Sequence, residues 1–173
     1  MRSKRSQKSE VRSQKLTHVD SRGRIKMVDV GDKPVTAREA VARGSIAMSA
    51  VARKLIRSGA VKKGDPLQAA RLAGIMAAKR CGELIPLCHP LGVESVEVDF
   101  DVPILEPDAN EPVRLGIKAI ARISGKTGVE MEALTAVSVA ALTVYDMCKA
   151  IDRTMVISDI RLLKKTGGTR GKH

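Results

Sequence analysis

Three runs decide the architecture: VEVDFDV at residues 96–102, VRLGIKAIARI at 113–123 and VEMEALTAVSVAALTVYDMCKAI at 129–151. In the first, Val96, Val98, Phe100 and Val102 alternate with Glu97, Asp99 and Asp101, and the second alternates in the same way. A period of two belongs to a strand with one buried face. Residues 106–112 between them are a Pro, Asp and Asn cluster, so the pair is expected to form a long antiparallel hairpin. The stretch from Gly125 to Gly128 turns the chain into the third run, whose length and Ala, Leu and Met content suit a long helix.

Working outward, residues 155–163 read as a further strand and 164–173 as a mobile, glycine- and lysine-rich tail. Upstream, Asp65-Pro66-Leu67-Gln68 has a cap followed by proline at the first helical position, which predicts a helix running to about Arg80. Thr36-Ala37-Arg38-Glu39 has the spacing of a capping box, which predicts another helix, closed by Gly59. Short apolar-polar runs on either side of residues 21–24 suggest a small hairpin around Gly23. The order is helices, hairpin, long helix, strand: an α+β protein with an antiparallel sheet covered on one face. Residues 15–163 form one expected domain, preceded by a disordered basic tail at 1–14.

The 173 residues are 43% hydrophobic, enough for one core, yet there is no Trp, one Phe (Phe100) and one Tyr (Tyr145). Ala, Val, Leu, Ile and Met must fill it, and small side chains let helices approach closely. The formal charge is +12, but residues 1–14 hold five basic groups against one acid and residues 161–173 hold five against none. The basic character belongs to the two ends, and two aromatics cannot build a base-stacking platform, so nucleic acid is not an expected partner. A phosphate- or nucleic-acid-binding module without catalysis remains the competing class. Cys81, Cys88 and Cys148 contain no C-x-x-C pair, which argues for reduced thiols and against structural zinc. No apolar leader and no run of about 20 apolar residues is evident, so a cytoplasmic protein without a membrane partner is expected.

Several residues could do chemistry. On a helical wheel Glu132, Thr135, Val139, Leu142, Asp146 and Lys149 share one stripe, with Asp146 and Lys149 as neighbours three apart. Such a pair could move protons, and the same spacing describes the ion pairs that many surface helices carry. Glu130 points roughly 160° away from Glu132 on that wheel, which suggests a structural or loop role. The segment 84–91 brackets Cys88 and His89 with Pro86 and Pro90 among apolar residues, a rigid loop suited to hold one imidazole against a ligand. An isolated histidine in such a stretch is also often a satisfied core residue. Lys62-Lys63-Gly64-Asp65 at a helix start, and Lys164-Lys165-Thr166-Gly167-Gly168-Thr169-Arg170-Gly171, are each able to serve a phosphate or to be solvated turns.

Taken together, KRCGELIPLCHPL at 79–91, GKTGVEMEALT at 125–135 and YDMCKA at 145–150 closely resemble the MoaC family, with MVDV at 27–30, RLL at 161–163 and KTGG at 165–168 in further agreement. The resemblance implies a ferredoxin-like fold. It also implies a pyrophosphate-releasing conversion of 3′,8-cyclo-7,8-dihydroguanosine 5′-triphosphate to cyclic pyranopterin monophosphate, in molybdenum cofactor biosynthesis. By the same resemblance Asp146 is the catalytic aspartate and Lys149 and Lys63 are essential lysines. Lys165 belongs to the tail loop, His89 is the pocket histidine, and Leu87, Cys88, Glu130, Met131 and Glu132 contact substrate. It implies dimers assembled into a homohexamer (hexamer of dimers) with sites between subunits, no required cofactor, and magnesium only as a companion of the triphosphate. Cys81, where threonine is commoner, and Thr169-Arg170 depart from the pattern without touching these residues.

Overall fold

The computed structural model describes residues 18–20, 22–59, 61, 64–102 and 112–168. The basic tail at 1–14, the Lys62-Lys63 pair, almost all of the 106–112 segment and the end of the C-terminal tail lie outside the described residues. In chain order the elements are β1 (Thr36–Met48), α1 (Ala50–Ser58), α2 (Pro66–Lys79), α3 (Cys81–Leu84), β2 (Ser95–Asp101), β3 (Val113–Gly125), α4 (Glu130–Cys148) and β4 (Val156–Thr166).

The hairpin of β2 and β3 forms with Val98 opposite Ala119 and Phe100 opposite Ile117. Along β3, Val113, Leu115, Ile117, Ala119, Ala121 and Ile123 are buried while Arg114, Lys118 and Ser124 are exposed, so one face meets the helices. The sheet order is β2-β3-β1-β4 with every neighbouring pair antiparallel. The strands β1 and β2 therefore run parallel with β3 between them, the split βαβ arrangement of a ferredoxin-like α+β fold.

The helix expected from Thr36 is instead a thirteen-residue central strand. Glu39 caps nothing: it pairs with Arg122 at 2.9 Å and Lys164 at 3.2 Å across the open face of the sheet. Among the described residues, the buried Thr36 Oγ1 has no hydrogen-bond partner. Ladders on both sides of β1, to β3 and β4, outweigh the helical leaning of its Ala, Arg and Glu content. The helix that does reach Gly59 starts only at Ala50, capped by the Ser49 side chain, which accepts from Ala52 N, and closed by Gly59 at φ 67°. By contrast α2 begins as expected, with Asp65 accepting from Leu67 N and Gln68 N.

Small residues set the layer spacing. In α4, Ala133, Ala136, Val137, Ala140, Ala141 and Val144 are fully buried between sheet and α2. A Cβ on Gly74 of α2 would lie 2.8 Å from the Ala136 carbonyl oxygen, and one on Gly44 of β1 would lie 2.7 Å from Val137 Cγ1. At nineteen residues α4 is long and apolar enough to cross a membrane by length and composition, contrary to the sequence reading, because it is the core helix of this fold. The expected N-terminal hairpin reduces to one bridge, Val19 to Ile25, with Asp20 bonding Arg22 N and Arg24 N around Gly23.

The last strand is irregular in a way that matters for the site. Its register against β1 shifts between Arg43 and Ser45 and again between Val41 and Ala42. Asp159, at φ 58°, sits in the first shift, opposite Gly44. Two bulges rotate successive side chains, so Ile157 lies opposite Ile46, Leu162 opposite Ala42 and Lys165 opposite Ala40, all buried partners on the helix side. The strand carries on to Thr166, placing Lys164 and Lys165 on a sheet edge and not in the tail expected to begin at 164.

Candidate active site

One cavity of about 610 Å³ opens where five segments meet. The N-terminal arm contributes His18, Val28, Val30 and Lys33, and β1 contributes Arg38. The proline-bracketed loop adds Leu87, Cys88, His89 and Leu91. The turn before α4 and the first turn of that helix add Lys126, Thr127, Gly128, Glu130, Met131 and Glu132, and the end of β4 adds Lys165 through Gly168. The structure thus brings together Leu87, Cys88, His89, Glu130, Met131, Glu132 and Lys165. The wheel separates Glu130 from Glu132, yet both reach the cavity because the helix points into it end-on, where angular position ceases to divide inside from outside.

His89 is a pocket wall held by its ring: Nε2 lies 2.8 Å from the Val28 carbonyl oxygen. A carbonyl only accepts, so Nε2 carries the proton, and in the neutral ring Nδ1 is the acceptor. The same bond fastens the arm to the body, as does Lys126 Nζ, which donates to Gly31 O at 2.6 Å.

The surroundings of the two cavity glutamates shift them in opposite directions. Burial opposes charge on Glu130, but Lys165 at 2.8 Å and the nearby Arg38 outweigh it and hold the carboxyl below its ordinary value. Glu132 is 3% exposed, and burial raises its carboxyl above the ordinary value, with Glu130 adding like-charge repulsion. Behind it, Cys81 Sγ lies 3.5 Å from Thr135 Oγ1. Burial pushes the Cys81 thiol up to about 12 and also raises Cys88, so both are protonated at neutral pH and neither is a ready nucleophile. Among the described residues no three His, Cys, Asp or Glu side chains converge as metal ligands.

Asp146 and Lys149 lie elsewhere. They form an ion pair at 2.6 Å, each about half exposed, at the far end of α4. Fourteen residues of helix separate Asp146 from Glu132, roughly 21 Å at 1.5 Å per residue. The wheel stripe that joins them changes character along its length: Glu132 and Thr135 are buried while Leu142 is 57% exposed. Asp146 and Lys149 are therefore not among the residues that line the cavity. Lys63 is outside the described residues.

Sequence reasoning did not single out Lys33, Arg38, Lys126 or His18. Arg38 was absorbed by the helix expected there, and Lys126, between two glycines of a recognised motif, was the one with a local signal.

Comparison with known proteins shows the family. The MoaC family model matches residues 27–168. A cyclic pyranopterin monophosphate synthase from Desulfitobacterium hafniense is 55% identical over 156 residues, covering 90% of this chain and 91% of that protein. Proteins of the same name from Chloroflexus aggregans and Parvibaculum lavamentivorans are 57% and 52% identical, covering 90% and 93% of this chain and 91% and 97% of their own lengths.

Proposed function

The chain belongs to the MoaC family, and on that premise we propose that it is a cyclic pyranopterin monophosphate synthase of molybdenum cofactor biosynthesis. It is a lyase that converts 3′,8-cyclo-7,8-dihydroguanosine 5′-triphosphate to cyclic pyranopterin monophosphate and pyrophosphate. The observation that carries this reading is the convergence of Lys33, Arg38, Lys126 and Lys165 with His18, His89 and two glutamates on a single cavity. Its volume falls in the range of roughly 300–1,000 Å³ usual for small-molecule sites.

A triphosphate needs cationic partners, and positive charge held in place stabilises the departing pyrophosphate more than water can. Lys165, fixed by Glu130, supplies part of it. His89, with Nε2–H committed to Val28, offers Nδ1 to accept a hydrogen bond or a proton. Glu132 is the carboxyl of the pair whose burial favours the protonated form. Magnesium enters only as a companion of the triphosphate, and the protein itself requires no cofactor.

Asp146, Lys149 and Lys63 complete the site from a second copy, with Asp146 as proton acceptor and the lysines as further cations. The 21 Å gap along α4 supports this division, estimated from the rise per residue. The exposed Leu72, Met76 and Leu142 on the outer faces of α2 and α4 support a partner surface. The assembly is a homohexamer built from dimers, working in the cytosol.

The test follows both products from the cyclised dihydroguanosine triphosphate. Asp146→Asn and Lys63→Ala each abolish turnover while leaving a folded oligomer, and mixing Asp146→Asn with Lys165→Met subunits restores part of it. Near-normal rates in either single variant remove that residue's role, and no recovery on mixing removes the shared site. If the unmutated oligomer releases neither product, the synthase reading fails and the binding-module class takes its place.

A further inference from the structure

We propose that Arg38 is a positioning residue for this reaction, which rests on the synthase reading: its guanidinium sets the turn that carries Lys126 and leads into α4. Nε donates to Gly125 O at 2.8 Å and Nη2 donates to Lys126 O at 3.1 Å. The two carbonyls are consecutive, and a planar fork satisfies both at once.

The turn needs such a hold. Val129 at the start of α4 provides no side-chain cap, so the usual means of fixing a helix entry is missing. Past the turn, the chain builds the cavity's reacting wall: Thr127 and Gly128, then Glu130, Met131 and Glu132 in the first helical turn. Lys126 in turn reaches Gly31 O and anchors the arm whose Val28 orients His89. A movement of the 125–128 backbone is therefore passed to three walls of the cavity.

The opposite flank of Arg38 is packed against the end of β4. A Cβ on Gly168 would lie 2.6 Å from Nη1, and one on Gly167 would run into the Ala37 carbonyl and approach Arg38 Cγ to 3.0 Å. Both glycines have positive φ, 90° and 85°, and the backbone after Lys165 packs closely against the Arg38 side chain. Arg38 is half-buried between the two backbone segments that present Lys126 and Lys165. Those contacts to carbonyls and glycines, not charge alone, are what this position supplies.

Arg38→Lys separates positioning from charge, because lysine keeps the cation and cannot bridge two carbonyls. Hydrogen exchange of the amides at 125–129 is expected to accelerate about tenfold in this variant, the loss of one charged hydrogen bond, with the rest of the protein unchanged. In steady-state assays kcat is expected to fall at least about tenfold with KM within about threefold, as displaced catalytic groups require. If Arg38→Lys exchanges and turns over like the parent, Arg38 acts through its charge and the proposal is overturned. A raised KM with unchanged kcat overturns it too, because that marks a substrate-binding cation. The exchange measurement needs no turnover, so the positioning claim is decided even if the unmutated protein proves not to be a synthase.

Discussion

Replacing Gly74 by alanine sets two opposing effects against each other at the α2–α4 contact. In a helix interior alanine is favoured over glycine by about 1 kcal/mol, so on propensity alone the variant would gain stability. The added methyl, however, would lie 2.8 Å from the Ala136 carbonyl oxygen, 3.2 Å from Val98 Cγ2 and 3.4 Å from Ala140 Cβ. The first of these is backbone of the core helix and cannot swing aside. Overpacking of this kind costs about 1–3 kcal/mol, and a backbone obstacle places it at or beyond the upper end. The net expectation is a loss of at least about 2 kcal/mol, or at least about 4–8 °C in Tm for a domain of this size. Urea titration at fixed protein concentration, with a thermal scan beside it, reads this directly, and an unchanged m-value would show that only stability has moved. An alanine variant as stable as the parent or more so would refute the claim that Gly74 sets the spacing of the two helices.

Other perturbations report on the site. Glu132→Gln is expected to be more stable than the parent at pH 7, because burial raises the Glu132 carboxyl and the folded state resists its ionisation. The parent gains relative stability as pH falls through the raised folded value, and the difference closes below the ordinary value of 4.5; denaturation at several pH values checks this. Asp152, 6% exposed, accepts from Ser49 N at 2.7 Å and from Thr154 N at 2.8 Å, so Asp152→Ala should cost about 2–4 kcal/mol by urea titration. Burial opposes the Asp152 charge but these bonds lower its carboxyl overall, so its contribution is present above the ordinary 3.8 and is lost as pH falls through the lowered folded value. Lys165→Met removes a partly exposed ion pair and should cost less than about 1 kcal/mol. Its effect on turnover should be about a hundredfold or more, and a small effect on both would show that Lys165 holds no charge for the substrate.

The hairpin and α4 were legible in the sequence because a one-sided sheet writes its burial as strict alternation and a core helix writes its own as a long apolar run. The central strand β1 was not. Sequence windows see Ala40 and Ala42 as helix-compatible residues, whereas the absence of a side chain at Gly44 answers to Val137 of α4 pressing on it, a contact made nearly a hundred residues downstream. The bulges of β4 hide its burial for a related reason: Ile157, Leu162 and Lys165 are spaced by five and three, which matches neither strand nor helix. At the site, the loop bearing His89 announced itself because two prolines around a polar residue in an apolar stretch suit no regular element. Arg38 gave no such sign, since its partners are backbone carbonyls at Gly125 and Lys126. Glu130 required the helix end to be seen in space.

The two bulges also decide where β4 tolerates a change in length. Each is a place where the strand holds one residue more than its partner, so losing Leu163 would leave a regular ladder with Lys165 still opposite Ala40. A deletion between Val156 and Ser158, where pairing is one to one, shifts the phase of every later residue unless a bulge gives way. Thr166 would then arrive where Lys165 stands, and Glu130 would face a hydroxyl in place of an ammonium. Natural or engineered length variants of this strand should therefore fall at 159–160 and 163, with the fold surviving elsewhere and the cation lost.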